Sequence, residues 1–300
     1  MWPADILQNE DGCGHPGLFW RYGGQIPDFQ AGAAAAAGHG NDTAHKEAWR
    51  EAHVERACKL SRQGALPGTQ HGAAYRLAFD RRTAWLQSQG AEPDKDIISV
   101  PAEGRLKTGV GEPTVFECQI ALHPVTGMPR LLASGLHGLL ASWCFGRHQR
   151  MRADGDAVKA LPREQLVALL GNPYGDDDKQ AGGLVIHDAW WDPHKSKRGP
   201  LEPERATNHH PDYYQGRLRA AIDGGHASDF DSPVPSPLIA TAGSFQLAIS
   251  RANIGAEWAQ LCMQWLRLAL AESGAGASRQ LGYGRFEEPP EPAALQAGGR

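Results

Sequence analysis

The stretch SGAGASRQLGYGRF, residues 273–286, crowds Gly274, Gly276, Gly282 and Gly284 around Arg279. Just before it, residues 256–272 carry Trp258, Leu261, Cys262, Trp265, Leu268 and Ala269 at helical spacing, which predicts a helix ending at Ser273-Gly274. That order excludes one use of the glycines. Dinucleotide and triphosphate loops follow a strand and open a helix, so that phosphates meet the free N–H groups of the helix N-terminus. Here the helix comes first, the third glycine of G-x-G-x-x-G would fall on Arg279, and no G-K-[ST] follows. Two readings of the residues remain. In one, a loop before a final strand offers backbone N–H groups, with Arg279, Gln280 and Arg285 as phosphate donors and Tyr283 as a stacking platform. In the other, Gly274 is a helix C-cap and Gly282–Gly284 a strand kink. The residues alone leave the two level.

Upstream, Thr43 is placed to cap a helix through HKEAWREAHVERACKLSRQ, with Trp49, His53, Ala57 and Leu60 on one face. FECQIAL (116–122) alternates Phe116, Cys118, Ile120 and Leu122 inward, the period of a half-buried strand. HPVTG then turns the chain, and Ser134 caps a helix whose stripe of Leu136, Leu139, Leu140 and Trp143 ends near Gly146. GGLVIHD reads as a buried strand. PLIATAGSFQLAIS gives two short strands around Ala242-Gly243, with Phe245, Leu247 and Ile249 inward. Residues 31–41 are of low complexity and the end after Phe286 has little to pack. The expected organisation is a loosely ordered extension (1–44), one domain (45–286) and a flexible tail (287–300).

With 300 residues, 41% hydrophobic and a formal net charge of −4, the chain has enough apolar content for a core and no global basic field. Any polyanion must be held by local patches. Arg105, Lys107, Arg130, Arg147, Arg150 and Arg152 form one such run, whereas residues 154–231 lean acidic. No apolar run is long enough for a membrane span and the first residues lack a secretion signal, so a cytoplasmic protein is expected. The five cysteines (Cys13, Cys58, Cys118, Cys144, Cys262) are widely spaced and never form a C-x-x-C pair, so no disulfide framework or zinc knuckle is expected; most read as small core residues.

The closing glycine pattern behind a long helix resembles the glycine-rich loop of the RAMP superfamily, RNA-binding subunits of CRISPR systems. Three further stretches carry the resemblance: RLKTGVGEPTVFECQIALHPVTGMPRLLASGLHGLL (105–140), GGLVIHDAWW (182–191), and ERATNHHPDYYQG with SPVPSPLIATAGSFQLAIS (204–250). The last is similar to H-x-x-Y-Y and P-x-P stretches of the sixth-subunit family of the type III-B Cmr effector complex. The resemblance runs from about Arg105 to Phe286. It implies an α+β, ferredoxin-like (RRM-type) fold, an antiparallel sheet with helices on one face, plus insertions. It also implies a non-catalytic subunit without cofactor, holding the 3′ part of a guide RNA near the head of a stack of RAMP subunits. Guide RNA, target RNA in the assembled complex and the other RAMP backbone subunits are then the partners. The residues implied to line the RNA path are Arg105 and Lys107 on the first core strand, Ser134 and His137 on the serine-capped helix, and Gly274, Gly276, Arg279, Gln280, Gly282, Tyr283, Gly284 and Arg285. The family's helix carries S-x-K-G where this chain reads Ser134-Gly135-Leu136-His137-Gly138, so a permanent cation gives way to a histidine that is mostly neutral at pH 7.

A rival reading is a metal-dependent phosphoesterase or ribonuclease. His187, Asp188, Asp192 and His194, with His209, His210 and Asp212, are ligand types suited to Zn²⁺ or Mn²⁺. No H-E-x-x-H helix is present, and His187 and Asp188 are expected on opposite faces of a strand. By resemblance, target cutting belongs to a different subunit that uses a loop aspartate; Asp176–Asp178 here read as a solvated acidic run. Tyr213 and Tyr214 read as packing, whereas Trp190 and Trp191 are open between packing and a subunit interface.

Overall fold

The computed structural model describes residues 43–109, 120–153, 162–172, 180–210 and 233–289, together with 213, 226 and 231. Phe116, Cys118, Cys13, Asp176–Asp178, Asp212, Tyr214, nearly all of the N-terminal extension and most of the tail lie outside them. In chain order the elements are α1 (Thr43–Ala65), α2 (Gln70–Ser88), β1 (Ile97–Pro101), β2 (Arg130–Leu131), α3 (Ala133–Ala153), α4 (Arg163–Leu170), β3 (Leu184–Ile186), β4 (Ala189–Trp191), β5 (Leu201–Asn208), β6 (Val234–Thr241), β7 (Ser244–Arg251) and α5 (Ala256–Ser273). A 3₁₀ turn, Arg279–Leu281, follows.

The main sheet is antiparallel, in the order β1-β7-β4-β2, with β3 pairing β7 beyond β4. β7 is its centre because its residues suit burial on both faces. Phe245, Leu247 and Ile249 point into the principal core, where Leu136 and Leu140 of α3 and Met263, Leu266 and Leu270 of α5 meet them. Each such side chain contributes about 1.5–3 kcal/mol by leaving water. Gln246 and Ala248 point the other way and are also buried. The connections β1, α3, β3/β4, β7 and α5 follow the α+β order expected of a split βαβ unit. The expected final strand is reduced to a single antiparallel bridge, Ala102 to Phe286, with Phe286 buried edge-on against Phe245.

Helices on one face only is an expectation the structure corrects. α2, which the sequence reading does not foresee, lies across the second face. Thr69 caps it by accepting a hydrogen bond from the Gly72 amide, and Tyr75, Phe79 and Leu86 form its buried stripe. Tyr75 donates to the Trp191 carbonyl at 2.5 Å, Arg82 donates to Gln246 Oε1 at 2.6 Å and to the Asp188 carbonyl at 2.7 Å, and Leu86 packs with Ile97 and Ala248. Burial pushes the Arg82 guanidinium down to about 10. An RRM reads bases on the open face of its sheet; here that face is roofed.

The second sheet is the β5–β6 ladder, running from Leu201 opposite Thr241 to Asn208 opposite Val234. α1 packs on it through Val54, Ala57 and Cys58, against Leu201 and Ile239. His53 and Ala57 are buried as expected. The last helix matches its expected bounds, but its most buried stripe is Ala259, Cys262, Met263, Leu266, Ala269 and Leu270, with Trp258, Trp265 and Leu268 at the margin. α3 runs past Gly146 to Ala153. Burial pushes the thiols of Cys58, Cys144 and Cys262 up to about 12, which makes them small, inert core groups.

Candidate nucleic-acid interface

α5 ends as expected: Gly274 has φ +69° and its amide bonds to the Leu270 carbonyl at 3.0 Å. The chain then folds back on itself. The Ala275 amide reaches the Gly284 carbonyl at 2.9 Å, the Gly284 amide the Arg105 carbonyl at 2.8 Å, and the Ala277 amide the Lys107 carbonyl at 2.8 Å. The glycines serve this closure. A Cβ on Gly276 would stand 2.4 Å from the Lys107 carbonyl oxygen, and one on Gly284 only 1.9 Å from that of Ala275. Both also have positive φ, +85° and +75°. Several backbone amides of the loop are therefore bonded to the loop itself or to the 105–107 segment.

Arg105 and Lys107 lie beyond β1, not on it. They sit in a segment bridged by Leu106 to Thr241 and by Lys107 to Ala277. The Arg105 guanidinium donates to Glu202 at 2.9 Å and to Glu204 at 2.5 Å, and Arg198 donates to Glu202 at 2.8 Å. Burial raises the pKa of Glu202, but the bonds from Arg198 and Arg105 outweigh it and hold the carboxyl below the usual range. The Lys107 ammonium stands 4.0 Å over the Tyr283 ring, and Tyr283 also bonds to Glu204. Burial together with the Glu204 charge raises the Tyr283 phenol. Arg279, Gln280 and Arg285 are exposed; Arg279 makes one bond, to the Ser273 carbonyl at 3.2 Å.

The expected Ser134 cap is corrected. α3 begins at Ala133, and its first amide is capped from across the fold by Asp188, whose Oδ1 accepts from Ala133 N at 2.7 Å while its Oδ2 accepts from Arg130 at 2.6 Å. A carboxylate at a helix N-terminus satisfies both the free donors and the macrodipole. Ser134 is left exposed within the first turn. His137 bonds through Nε2 to the Leu170 carbonyl at 2.9 Å, the last of α4, so it ties two helices together.

α3 and the loop nevertheless face one another as expected. Between them lies a groove of about 400 Å³, walled by Gly135, Gly138 and Ser142 of α3, by Gly274 and Gly276 of the loop, and floored by Thr108 and Gly109. Arg279 is the one charged residue among the described lining. Ser134, His137, Gln280, Tyr283 and Arg285 stand outside that lining. Thr108 and Gly109, within the 105–140 stretch that carries the resemblance, and Ser142 are lining residues beyond the expected set.

The histidine and aspartate set of the rival reading is dispersed among separate partners. His187 Nε2 pairs with Ser250 Oγ at 2.8 Å, and burial lowers its pKa. Asp188 is the α3 cap, His194 pairs with Asp80 at 2.9 Å, and His210 with Asp231 at 2.9 Å. Asp192 accepts from the amides of His194 and Lys195. His187 and Asp188 fall between β3 and β4 rather than on one strand. Among the described residues no group of three His, Cys, Asp or Glu is placed to hold a metal ion. Trp191 is buried and donates to the Ala242 carbonyl at 2.9 Å, and Trp190 lies under Arg82. Trp191 is therefore a packing residue, and Trp190 packs against the core while remaining partly exposed. Tyr213, expected to pack, is exposed.

The described residues form a layered α+β domain with a groove of backbone and small residues beside exposed arginines. The family model of the RAMP superfamily matches residues 100–287, well over half of the chain. The chain therefore belongs to the RAMP superfamily. No curated protein matches it. Among solved structures it is similar to a chain in the cryo-EM structure of the type III-B Cmr-beta complex bound to cognate target RNA, at 20% identity and a TM-score of 0.55, over 83% of this chain and 76% of that one. It also aligns with Cmr6 from Pyrococcus furiosus at 21% identity over 65% of this chain and 98% of that one, with a TM-score of only 0.38.

Proposed function

We propose that this protein is a non-catalytic, RNA-holding subunit of a type III CRISPR effector complex of the Cmr kind. In this reading it grips the sugar-phosphate chain of the guide RNA toward its 3′ part, near the head of a stack of related RAMP subunits. Target RNA then pairs with the guide in the assembled complex, so sequence is read by base pairing and the protein needs only a sequence-independent hold. The groove between α3 and the 274–286 loop is the observation that carries this reading, supported by membership of the RAMP superfamily. Arg279, Arg285 and Gln280 are its outward donors, with Gly274, Gly276, Gly282 and Gly284 shaping the loop. Arg105, Lys107 and Tyr283 stiffen it from behind through Glu202 and Glu204. Ser134 and His137 border it on α3. Among the described residues no helix is long and apolar enough to cross a membrane.

The test is the double variant Arg279→Ala/Arg285→Ala, purified with its natural assembly. The expected result is an intact fold with RNA occupancy sharply reduced at moderate salt. Unchanged occupancy contradicts the assignment.

A further inference from the structure

The groove is poorly made for a phosphate and well made for a sugar. Among the described residues its lining holds a single charge, Arg279. A phosphate seated inside would leave water for a cleft of leucine, alanine and glycine, at a large desolvation cost. What the lining does offer is two hydroxyls. Ser142 is exposed on the α3 wall, one helical turn from Gly138. Thr108, in the floor, is only 6% exposed, and its Oγ1 has no hydrogen-bond partner among the described residues. Buried hydroxyls without partners are uncommon, and each is a vacancy for a donor or acceptor. The Thr108 methyl faces Gly276, 3.7 Å from where a Cβ on that glycine would be. A turn of about 120° in χ1 carries Oγ1 into the place the methyl holds, toward the groove, while the methyl moves to the hydrogen's place. No Cβ blocks the α3 wall either, since a side chain on Gly135 or Gly138 would meet nothing within 4 Å.

Resting on the RNA-holding reading above, we propose that this groove seats a ribose of single-stranded RNA, with the Thr108 and Ser142 hydroxyls recognising its 2′-hydroxyl and Arg279 meeting the adjacent phosphate at the rim. The 2′-hydroxyl both donates and accepts, and it is the group that separates RNA from DNA at a given site. Threonine and serine hydroxyls match it in both senses. The site thereby selects RNA without reading bases.

The experiment compares the full-length chain binding one single-stranded oligonucleotide of about a dozen residues in two forms, all-ribo and all-2′-deoxy with uracil kept. Thr108→Val removes a hydroxyl without a partner among the described residues at nearly constant shape, so its thermal midpoint should not fall. Wild type should prefer the ribo form, and Thr108→Val should reduce that preference about three- to tenfold, the worth of one hydrogen bond. Ser142→Ala should act in the same direction. Arg279→Ala should weaken both oligonucleotides alike. A ribo preference untouched by Thr108→Val and Ser142→Ala overturns the inference, as does equal binding of the two forms, while either leaves the RNA-holding reading standing. Binding of neither form overturns the inference too, and the RNA-holding reading is then decided by RNA occupancy of the purified assembly.

Discussion

Two sets of glycines, one in the 274–286 loop and one on α3, are there for opposite reasons. In the loop, Gly276 and Gly284 have left-handed φ, and added Cβ atoms would collide with carbonyl oxygens of Lys107 and Ala275. On α3, Gly135 and Gly138 sit in ordinary helix, and added Cβ atoms would meet nothing. A glycine in a helix interior costs about 1 kcal/mol relative to alanine. In the loop the protein itself fills the space that glycine leaves; on α3 the space stays open, as expected of a wall that a ligand approaches.

Breaking the loop set should have the largest effect. Gly284→Ala places a methyl inside the Ala275 carbonyl and demands a disfavoured φ, so a loss of more than about 3 kcal/mol, or failure to fold, is expected in denaturant titrations. Next comes the ligand side of the loop: Arg279→Ala/Arg285→Ala should lower RNA affinity roughly 10- to 100-fold at moderate salt, with a shallower salt slope and an unchanged melting midpoint. The helix set should respond with the opposite sign. Gly138→Ala should raise stability by up to about 1 kcal/mol while weakening RNA binding several-fold, because it narrows the groove. A variant that gained stability and bound RNA as before would erase the contrast between the two walls.

The smallest effect concerns the support behind the loop. Glu202 has its pKa lowered below the ordinary 4.5 by Arg198 and Arg105 against the effect of burial. A carboxyl with a depressed folded-state pKa contributes stability that is fully present above 4.5 and is lost as pH falls through the lowered value. Unfolding followed below pH 4.5 should therefore show an acid limb that Glu202→Gln makes shallower.

The parts of this arrangement that were legible in the sequence are those fixed by local rules. The end of α5 at Gly274, the strands on either side of Gly243 and the inward Phe245, Leu247 and Ile249 follow from spacing and from glycine's freedom. The cap of α3 was misplaced because its capping carboxylate, Asp188, comes from 55 residues away, while Ser134 is the nearest local candidate. Arg105 reads as a free cation until the fold brings Glu202 and Glu204 against it across about a hundred positions of chain. α2 escaped notice for a related reason: its Arg82 and Thr83 find their partners in Gln246, a polar residue buried in the central strand. Thr108 and Ser142 acquire meaning only once α3 and the loop stand opposite one another.

The most direct test of the account is to purify the tagged full-length protein from its own cells with whatever RNA it carries, cross-link with ultraviolet light, and map the nucleotide-bearing peptides. Small guide RNAs cross-linked within residues 135–142 and 274–286 are the predicted result. Cross-links confined to α2 or to the β5–β6 ladder, or a protein that carries no RNA, would contradict it.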